Sequence, residues 1–349
     1  MKKSLLAAAA LTAFVGAASA QSSVTLFGIV DLAARNVNNG SGGSLKTVSP
    51  NGQGSSRLGF RGIEYLGGGL KAGFWLEGDL SLDTGGGPTA GNGNTANSQT
   101  WQRRSTVSLM GSFGEVRMGR DYVPTFTNTS TYDIWSYQGV STIANVRGAF
   151  LGSGGAGTAV RANNTISYFL PTLGGAYGQV TVAAGEGAQA TANKYTGARL
   201  GYAAGPLNVS AAYGKTDKIS GLTMIDDLKT VSIGGSYSLG FATVLAAYEK
   251  SDYSTSYQKL GTVAGLIPIG AGTIKLSYTK AGSNVSTYQA KLLGAGYVYD
   301  LSKRTSLGLG YGRVDNGPGG KFTASGNGPA GLKAGETSTG YDVSIIHKF

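Results

Sequence analysis

Apolar and polar residues alternate with a period of two through much of this chain. In VTLFGIVDLA, Val24, Leu26, Val30 and Leu32 fall on one side, and Thr25, Phe27, Ile29 and Asp31 on the other. LKAGFWLEGDL sets Ala72, Phe74, Leu76 and Leu80 against Lys71, Trp75, Glu77 and Asp79. In TVSIGGSYSL, Val231, Ile233, Tyr237 and Leu239 oppose Thr230, Ser232, Ser236 and Ser238. TIKLSYTK places Ile274, Leu276 and Tyr278 opposite Lys275, Ser277 and Thr279. Successive side chains of a strand point to opposite faces, so this rhythm predicts β-strands with one apolar and one polar face.

Two kinds of connection separate the strands. Leu66–Gly69 and Ser112–Gly114 are short enough for tight turns, whereas Asp83–Thr100 and Asn316–Gly335 are long and rich in Gly, Asn, Ser and Thr. About sixteen strand candidates can be traced, and short turns at one end with long polar loops at the other are the pattern of a transmembrane β-barrel. The spacing leaves about 21 residues for each strand and its connection, enough for the ~9–11 residues that cross a bilayer. A soluble sandwich would turn the polar faces to water and bury the apolar ones against a second sheet. A closed barrel reverses that arrangement and also removes the strand edges that a bilayer does not tolerate.

The arginines separate these alternatives. WQRRSTVSLMGSFGEVRMGRD, residues 101–121, carries Arg103, Arg104, Arg117 and Arg120 within two strands. Val107 and Leu109 share one face of the first strand, and Arg104, Thr106 and Ser108 the other. A charge on the lipid side near the midplane costs roughly 2–4 kcal/mol, which sends Arg104 to the lumen. The same parity turns Leu58 and Phe60 outward and Arg57 and Arg61 inward. It also turns Ile166 and Tyr168 outward and Arg161, Asn163, Thr165 and Ser167 inward. Arg103 breaks the parity, as a residue in a β-bulge or at the membrane interface would. The expected fold is therefore all-β, an antiparallel barrel with an arginine-bearing interior.

Composition narrows the setting. The 349 residues include 59 glycines without a Gly-X-Y period, no cysteine, and a formal charge of +11. Absence of cysteine excludes a disulfide framework and thiolate metal sites. Lys2 and Lys3, the apolar run Leu5–Val15 and the small-residue motif Ala18-Ser19-Ala20 read as a secretory signal peptide over 1–20, leaving one barrel domain over 21–349. No later stretch approaches the ~20 apolar residues of a membrane helix. The basic residues are scattered along strands rather than gathered into a patch, which argues against nucleic acid. Gly152–Gly157 spells G-x-G-x-x-G but lies in a loop without a following helix, so it carries no dinucleotide signature. The single histidine, His347, stands near the chain end without a partner constellation, which disfavours an enzyme. No metal or cofactor is implied.

In YDVSIIHKF, Tyr341, Val343, Ile345, His347 and Phe349 share one face and the chain ends on the aromatic. Together with SSVTLFGIVD (22–31), SRLGFRGIEYLGGGLKAGFWLEGDL (56–80), RRSTVSLMGSFGEVRMGRD (103–121), RANNTISY (161–168) and LSKRTSLGLGYG (301–312), this ending resembles the general porins of Gram-negative betaproteobacteria. The resemblance covers nearly all of the chain after the leader. It implies a sixteen-stranded outer-membrane barrel, a homotrimer, and a third extracellular loop, roughly 122–158, folded into the pore as a constriction. It implies a water-filled channel that favours small anions, Phe349 as a signal for the barrel-assembly machinery, and contact with membrane lipid and lipopolysaccharide. Carried over by motif, the arginines of the constriction are Arg57, Arg103 or Arg104, and Arg161, with Glu77 among them. Asp121 and Asp133 are available as further acidic partners, with Glu77 and the loop acid expected to oppose the arginines and create a transverse field. Arginine suits such an eyelet because it stays charged and presents fixed donors to carboxylate or phosphate. A passage narrower than the Debye length of about 8 Å escapes full screening.

Overall fold

The computed structural model describes residues 23–85, 101–148, 158–185, 194–217, 226–326 and 328–349. The expected leader and the G-x-G-x-x-G stretch lie outside them. The strands are β1 (Ser23–Asn38), β2 (Ser44–Pro50), β3 (Arg57–Gly67), β4 (Leu70–Asp79), β5 (Arg104–Gly111) and β6 (Gly114–Tyr122). After helix α1 (Pro124–Thr131) come β7 (Arg161–Phe169), β8 (Ala176–Ala183), β9 (Lys194–Ala204), β10 (Leu207–Asp217), β11 (Leu228–Ser238) and β12 (Thr243–Tyr253). The sheet is completed by β13 (Ser256–Ile269), β14 (Gly272–Ser283), β15 (Ala290–Asp300), β16 (Thr305–Asn316) and β17 (Thr337–Lys348). All pairings are antiparallel, and β17 returns to pair with β1, from Ile29 opposite Lys348 to Asn38 opposite Thr339. Beyond β17, the N–H and carbonyl of Phe349 bond Gly28, whose missing side chain leaves room for the terminal ring.

Seventeen strands make sixteen staves, because β2 and β3 occupy the same edge of β1. β2 pairs with Leu32–Asn38 and β3 with Ser23–Ile29. Between them Asn51–Ser56 leaves the sheet and wraps the carboxylate of Asp31. That carboxylate accepts backbone N–H bonds from Gly52 (3.1 Å), Gln53 (2.6 Å) and Gly54. Asp31 is fully buried, and three donors on a carboxylate compensate for its lost water. Nearby, Arg35 and Asp342 form a buried 2.6 Å ion pair across the closing seam of β1 and β17.

The outward face is apolar, as the alternation predicts. Val107, Leu109, Ile166, Val180, Leu200, Ile233, Val263, Leu309 and Val343 are all exposed, while Thr106, Ser108, Thr165, Ser167 and Thr181 on the opposite parity are buried. A belt of exposed aliphatics around a barrel is a lipid-facing surface. Near the tight-turn end it is bordered by exposed Phe113, Tyr168, Tyr202, Tyr237, Phe241 and Tyr299. Aromatics at that level match the interfacial girdle of membrane barrels. The short turns then mark the periplasmic end and the long loops the extracellular one.

The segment between β6 and β7 folds into the barrel rather than over it. Pro124 starts α1 at a position where its missing N–H costs nothing. The helix packs on the inner wall of β9–β11: Asn128 Nδ2 donates to Ser232 Oγ (3.0 Å), and the Tyr132 hydroxyl meets Ser210 Oγ (2.7 Å). Farther on, Trp135 Nε1 donates to Ser277 Oγ (2.8 Å), Ser141 Oγ to the Tyr311 carbonyl (2.6 Å) and Asn145 Nδ2 to the Ala324 carbonyl (2.8 Å). The loop therefore lines the wall from β9 to β16. Its seat is cut by glycine. A Cβ at Gly234 would overlap the Tyr132 ring, one at Gly294 or Gly296 would crowd Trp135, and one at Gly312 would strike the Val140 carbonyl. Glu249 of β12 holds both halves of the segment, accepting from Thr129 Oγ1 and from Arg147 Nη2 at 2.6 Å.

Candidate functional site

The wall that the loop leaves uncovered is formed by β3–β7, and it carries the arginines. Glu77 of β4 is its hub. The carboxylate accepts from Arg57 Nη1 (3.1 Å), Arg103 Nε (2.6 Å) and Trp75 Nε1 (3.0 Å). Arg103 is buried and also donates to Ser55 Oγ (2.7 Å), Asp79 Oδ1 (2.7 Å) and the Tyr122 hydroxyl (3.0 Å). The parity break at Arg103 has a local cause. Arg104 is the register partner of Glu77, and the Arg103 N–H also bonds the Glu77 carbonyl (3.0 Å), so two residues oppose one. Such a bulge re-aims a side chain, and here it directs Arg103 to the same carboxylate that Arg57 reaches.

Arg104 lies 4.4 Å from the centroid of the Trp75 ring and 3.7 Å from Asp121. Arg117 forks onto Glu115 with 2.8 and 2.9 Å bonds and reaches Asp121 at 2.7 Å. Arg161 donates to the Tyr122 hydroxyl (2.7 Å) and sits 4.3 Å from its ring centroid. A second irregularity positions it: the β6–β7 register shifts between Gly119 and Asp121, where Asn164 takes a left-handed φ of 53°. Arg61 faces the lumen with its guanidinium 5.3 Å from the Phe27 ring and 5.2 Å from that of Trp75.

Six guanidinium groups, of Arg57, Arg61, Arg103, Arg104, Arg117 and Arg161, thus share one wall with the carboxylates of Glu77, Asp79, Glu115 and Asp121. The expected arginines, with Glu77 and Asp121, come together. Their arrangement differs from the expected transverse field, since the carboxylates interleave with the arginines on the same wall. Asp133 does not join them. It is buried within the inserted loop, where it accepts from Thr142 Oγ1 (2.5 Å) and the Trp135 N–H (3.1 Å). Burial pushes its carboxyl up from the ordinary range, against the pull of those hydrogen bonds. A short polar side chain beside helix and turn backbone finds its partners locally, which sequence spacing does not reveal.

The loop face opposite the arginines is neutral. Among the described residues from Val123 to Gly148, the only charged side chains are Asp133 and Arg147, and both are buried. Burial works against the charge of Arg147, but the adjacent Glu249 and Tyr137 more than offset it and raise its proton affinity. What the loop offers on its less buried side is uncharged: Thr127, Ser130, Thr131, Ser136 and Gln138. A sheet closed on itself, greasy outside and charged inside, with an inserted loop narrowing the interior, has the construction of a channel.

The profile of the Gram-negative porin family matches residues 7–319. The chain belongs to that family. Outer membrane porin protein 32 of Delftia acidovorans is 38% identical over 365 residues, covering 100% of both chains. A solved structure of an anion-selective porin from Comamonas acidovorans superposes with a TM-score of 0.81 at 35% identity, covering 94% of this chain and 100% of that one. An outer membrane porin protein of Bordetella pertussis is 28% identical over 88% of this chain and 92% of its own. This porin is an outer-membrane β-barrel that conducts by passive diffusion, and it is not an enzyme.

Sequence parity alone placed Arg57, Arg61, Arg104 and Glu77 inward. Arg117 and Glu115 were equally open to that reading, since they alternate with Val116 and Met118. The Arg147–Glu249 staple was not, because its members lie 102 positions apart and neither carries a local motif. The glycines of the loop seat were also missed; their signal is an inward-parity Gly where a small polar residue would otherwise serve.

Proposed function

We propose that this porin prefers anions, and that Arg57, Arg103, Arg104 and Arg161 form the basic side of its constriction, with Glu77 and Asp121 holding the guanidinium groups apart rather than opposing them across the pore. The observation that carries this reading is the pairing of an arginine-rich wall with a loop face lacking an exposed carboxylate. Six guanidiniums against four carboxylates leave excess positive charge on that wall. One uncompensated charge about 8 Å from a permeating ion is worth roughly 2 kcal/mol at an effective dielectric of 20. That favours chloride or a small carboxylate over potassium while leaving the site weak enough to conduct. The anion selectivity named for the Comamonas porin supports the same assignment.

The reading extends to assembly. Residues 1–20 act as a cleaved export signal and 21–349 as a single barrel. Phe349, held against Gly28 at the seam, serves as the terminal signal for the barrel-assembly machinery. Three copies assemble in the outer membrane among lipid and lipopolysaccharide. The test is the reversal potential of purified protein in a planar bilayer under a KCl gradient. Chloride preference that shrinks in Arg57→Gln and Arg161→Gln supports the assignment. Equal permeability ratios in native and variant channels overturn it.

A further inference from the structure

Among the described residues, Arg61 and Arg161 are the two arginines of this wall without an ion pair; Arg161 is half-buried and bonds the Tyr122 hydroxyl, whereas Arg61 is exposed. Arg57 and Arg103 share Glu77, Arg117 forks onto Glu115, and Arg104 approaches Asp121. Among the described residues Arg61 has no ion pair. Its contacts are the rings of Phe27 and Trp75, both just over 5 Å away, and its side chain is exposed. An aromatic face attracts a guanidinium without cancelling its charge. Arg61 therefore keeps its charge available to solute, fixed in place by rings rather than by a carboxylate.

It opens on a concavity of about 420 Å³, within the size range of small-molecule sites. The cavity lies on the periplasmic side of Glu77, because β3 runs from Arg57 toward the tight turn at Gly67 and β4 returns from it. Part of its lining is apolar. Ile63 shares the inward parity of Arg61 and is 40% exposed, and Met110 lies beside it. An aliphatic side chain left open to the lumen is unexplained by the passage of hydrated inorganic ions. Next to an uncompensated guanidinium it matches a molecule with a carboxylate at one end and an apolar body at the other.

We infer that Arg61, Ile63, Trp75 and Met110 form a subsite for amphiphilic monocarboxylates just inside the constriction. The carboxylate pairs with Arg61, assisted by Arg104 across the Trp75 ring, and the apolar body lies against Ile63 and Met110. Binding is weak, so that the solute is concentrated on its path rather than trapped. The inference rests on the reading of the lumen as an anion path, and the test separates the two.

Chloride current through the native protein in a planar bilayer is titrated with benzoate and, separately, with acetate, added from the periplasmic side. Benzoate is expected to block at a concentration about tenfold lower than acetate, a ratio equivalent to about 1.4 kcal/mol. Ile63→Ser removes most of that advantage while leaving acetate unchanged, and Arg61→Gln weakens both. The open-channel conductance of each variant in KCl reports that it has folded. Equal block by benzoate and acetate, or benzoate block unaltered in Arg61→Gln, overturns the subsite while chloride preference stands. Loss of chloride preference in the native channel overturns the anion-path reading itself.

Discussion

Replacing Glu249 by alanine should make the pore noisy without unfolding the barrel. In the native protein the Glu249 carboxylate receives Arg147 Nη2 at 2.6 Å and Nε at 3.2 Å, with both side chains 4% exposed, and it also receives the Thr129 hydroxyl. Removing one partner of a buried ion pair costs about 3–5 kcal/mol, because the other charge is left without water or counterion. That cost falls on the seated loop alone. Once the loop lifts, Arg147 enters the solvated lumen and the penalty vanishes, while the β-ladders are untouched. The seated-to-lifted ratio should therefore fall by about 10²- to 10⁴-fold. Other anchors keep the seated state favoured: the Asn145 bond to Ala324, the Gly148 N–H on Gln258 (2.7 Å), and Val146 buried among Leu260, Leu292 and Val314. The expected signature is thus flicker to a higher conductance level rather than a permanently wide pore. Single-channel recording in KCl measures it directly. A volume-matched apolar pair, Arg147→Met with Glu249→Leu, removes both charges and should restore quiet traces. Quiet traces from the single variant, or a double variant as noisy as the single, would refute the staple.

Gly312→Ala places a methyl group against the Val140 carbonyl, so the loop cannot seat there; a higher mean conductance than native is expected in the same recordings. Asp133→Asn should leave the chloride-to-potassium permeability ratio unchanged, because this carboxylate is buried within the loop; a clear shift would place it on the ion path. The raised pKa of Asp133 also has a sign. An acid whose folded pKa lies above its ordinary value of 3.8 contributes stability below that value, and the contribution is lost as pH rises through the folded pKa. Lowering the pH from 7 toward 5 should therefore not unseat the loop through Asp133, and flicker that grows with acid in the native channel but not in Asp133→Asn would contradict this. Gly28→Val fills the notch that receives the Phe349 ring, and yields of folded barrel in the outer membrane, read by resistance to proteolysis, should fall.

Much of this architecture was legible in one dimension, and the reason is geometric. A strand repeats every two residues, so a run such as Arg104 to Leu109 already tells which side chains share lipid and which share the lumen, whatever the neighbouring strands are. The same local rule located Arg57, Arg61 and Glu77 on the inner face, and the residues flanking Gly67–Gly69 marked a tight turn. It could not foresee that Arg103 joins them, since a bulge is defined by the partner strand: it takes Glu77 to show that two residues stand opposite one. Nor could it show that Glu77 and Asp121 would pair with arginines on their own wall, or that Asp133 would turn inward to Thr142. The path of the inserted loop lay furthest out of reach. It depends on Tyr132 meeting Gly234, Val140 meeting Gly312, and Arg147 meeting Glu249, contacts between segments separated by about a hundred residues or more. Local periodicity determines which face a side chain takes; only closure of the barrel brings together the distant surfaces that decide what it meets there.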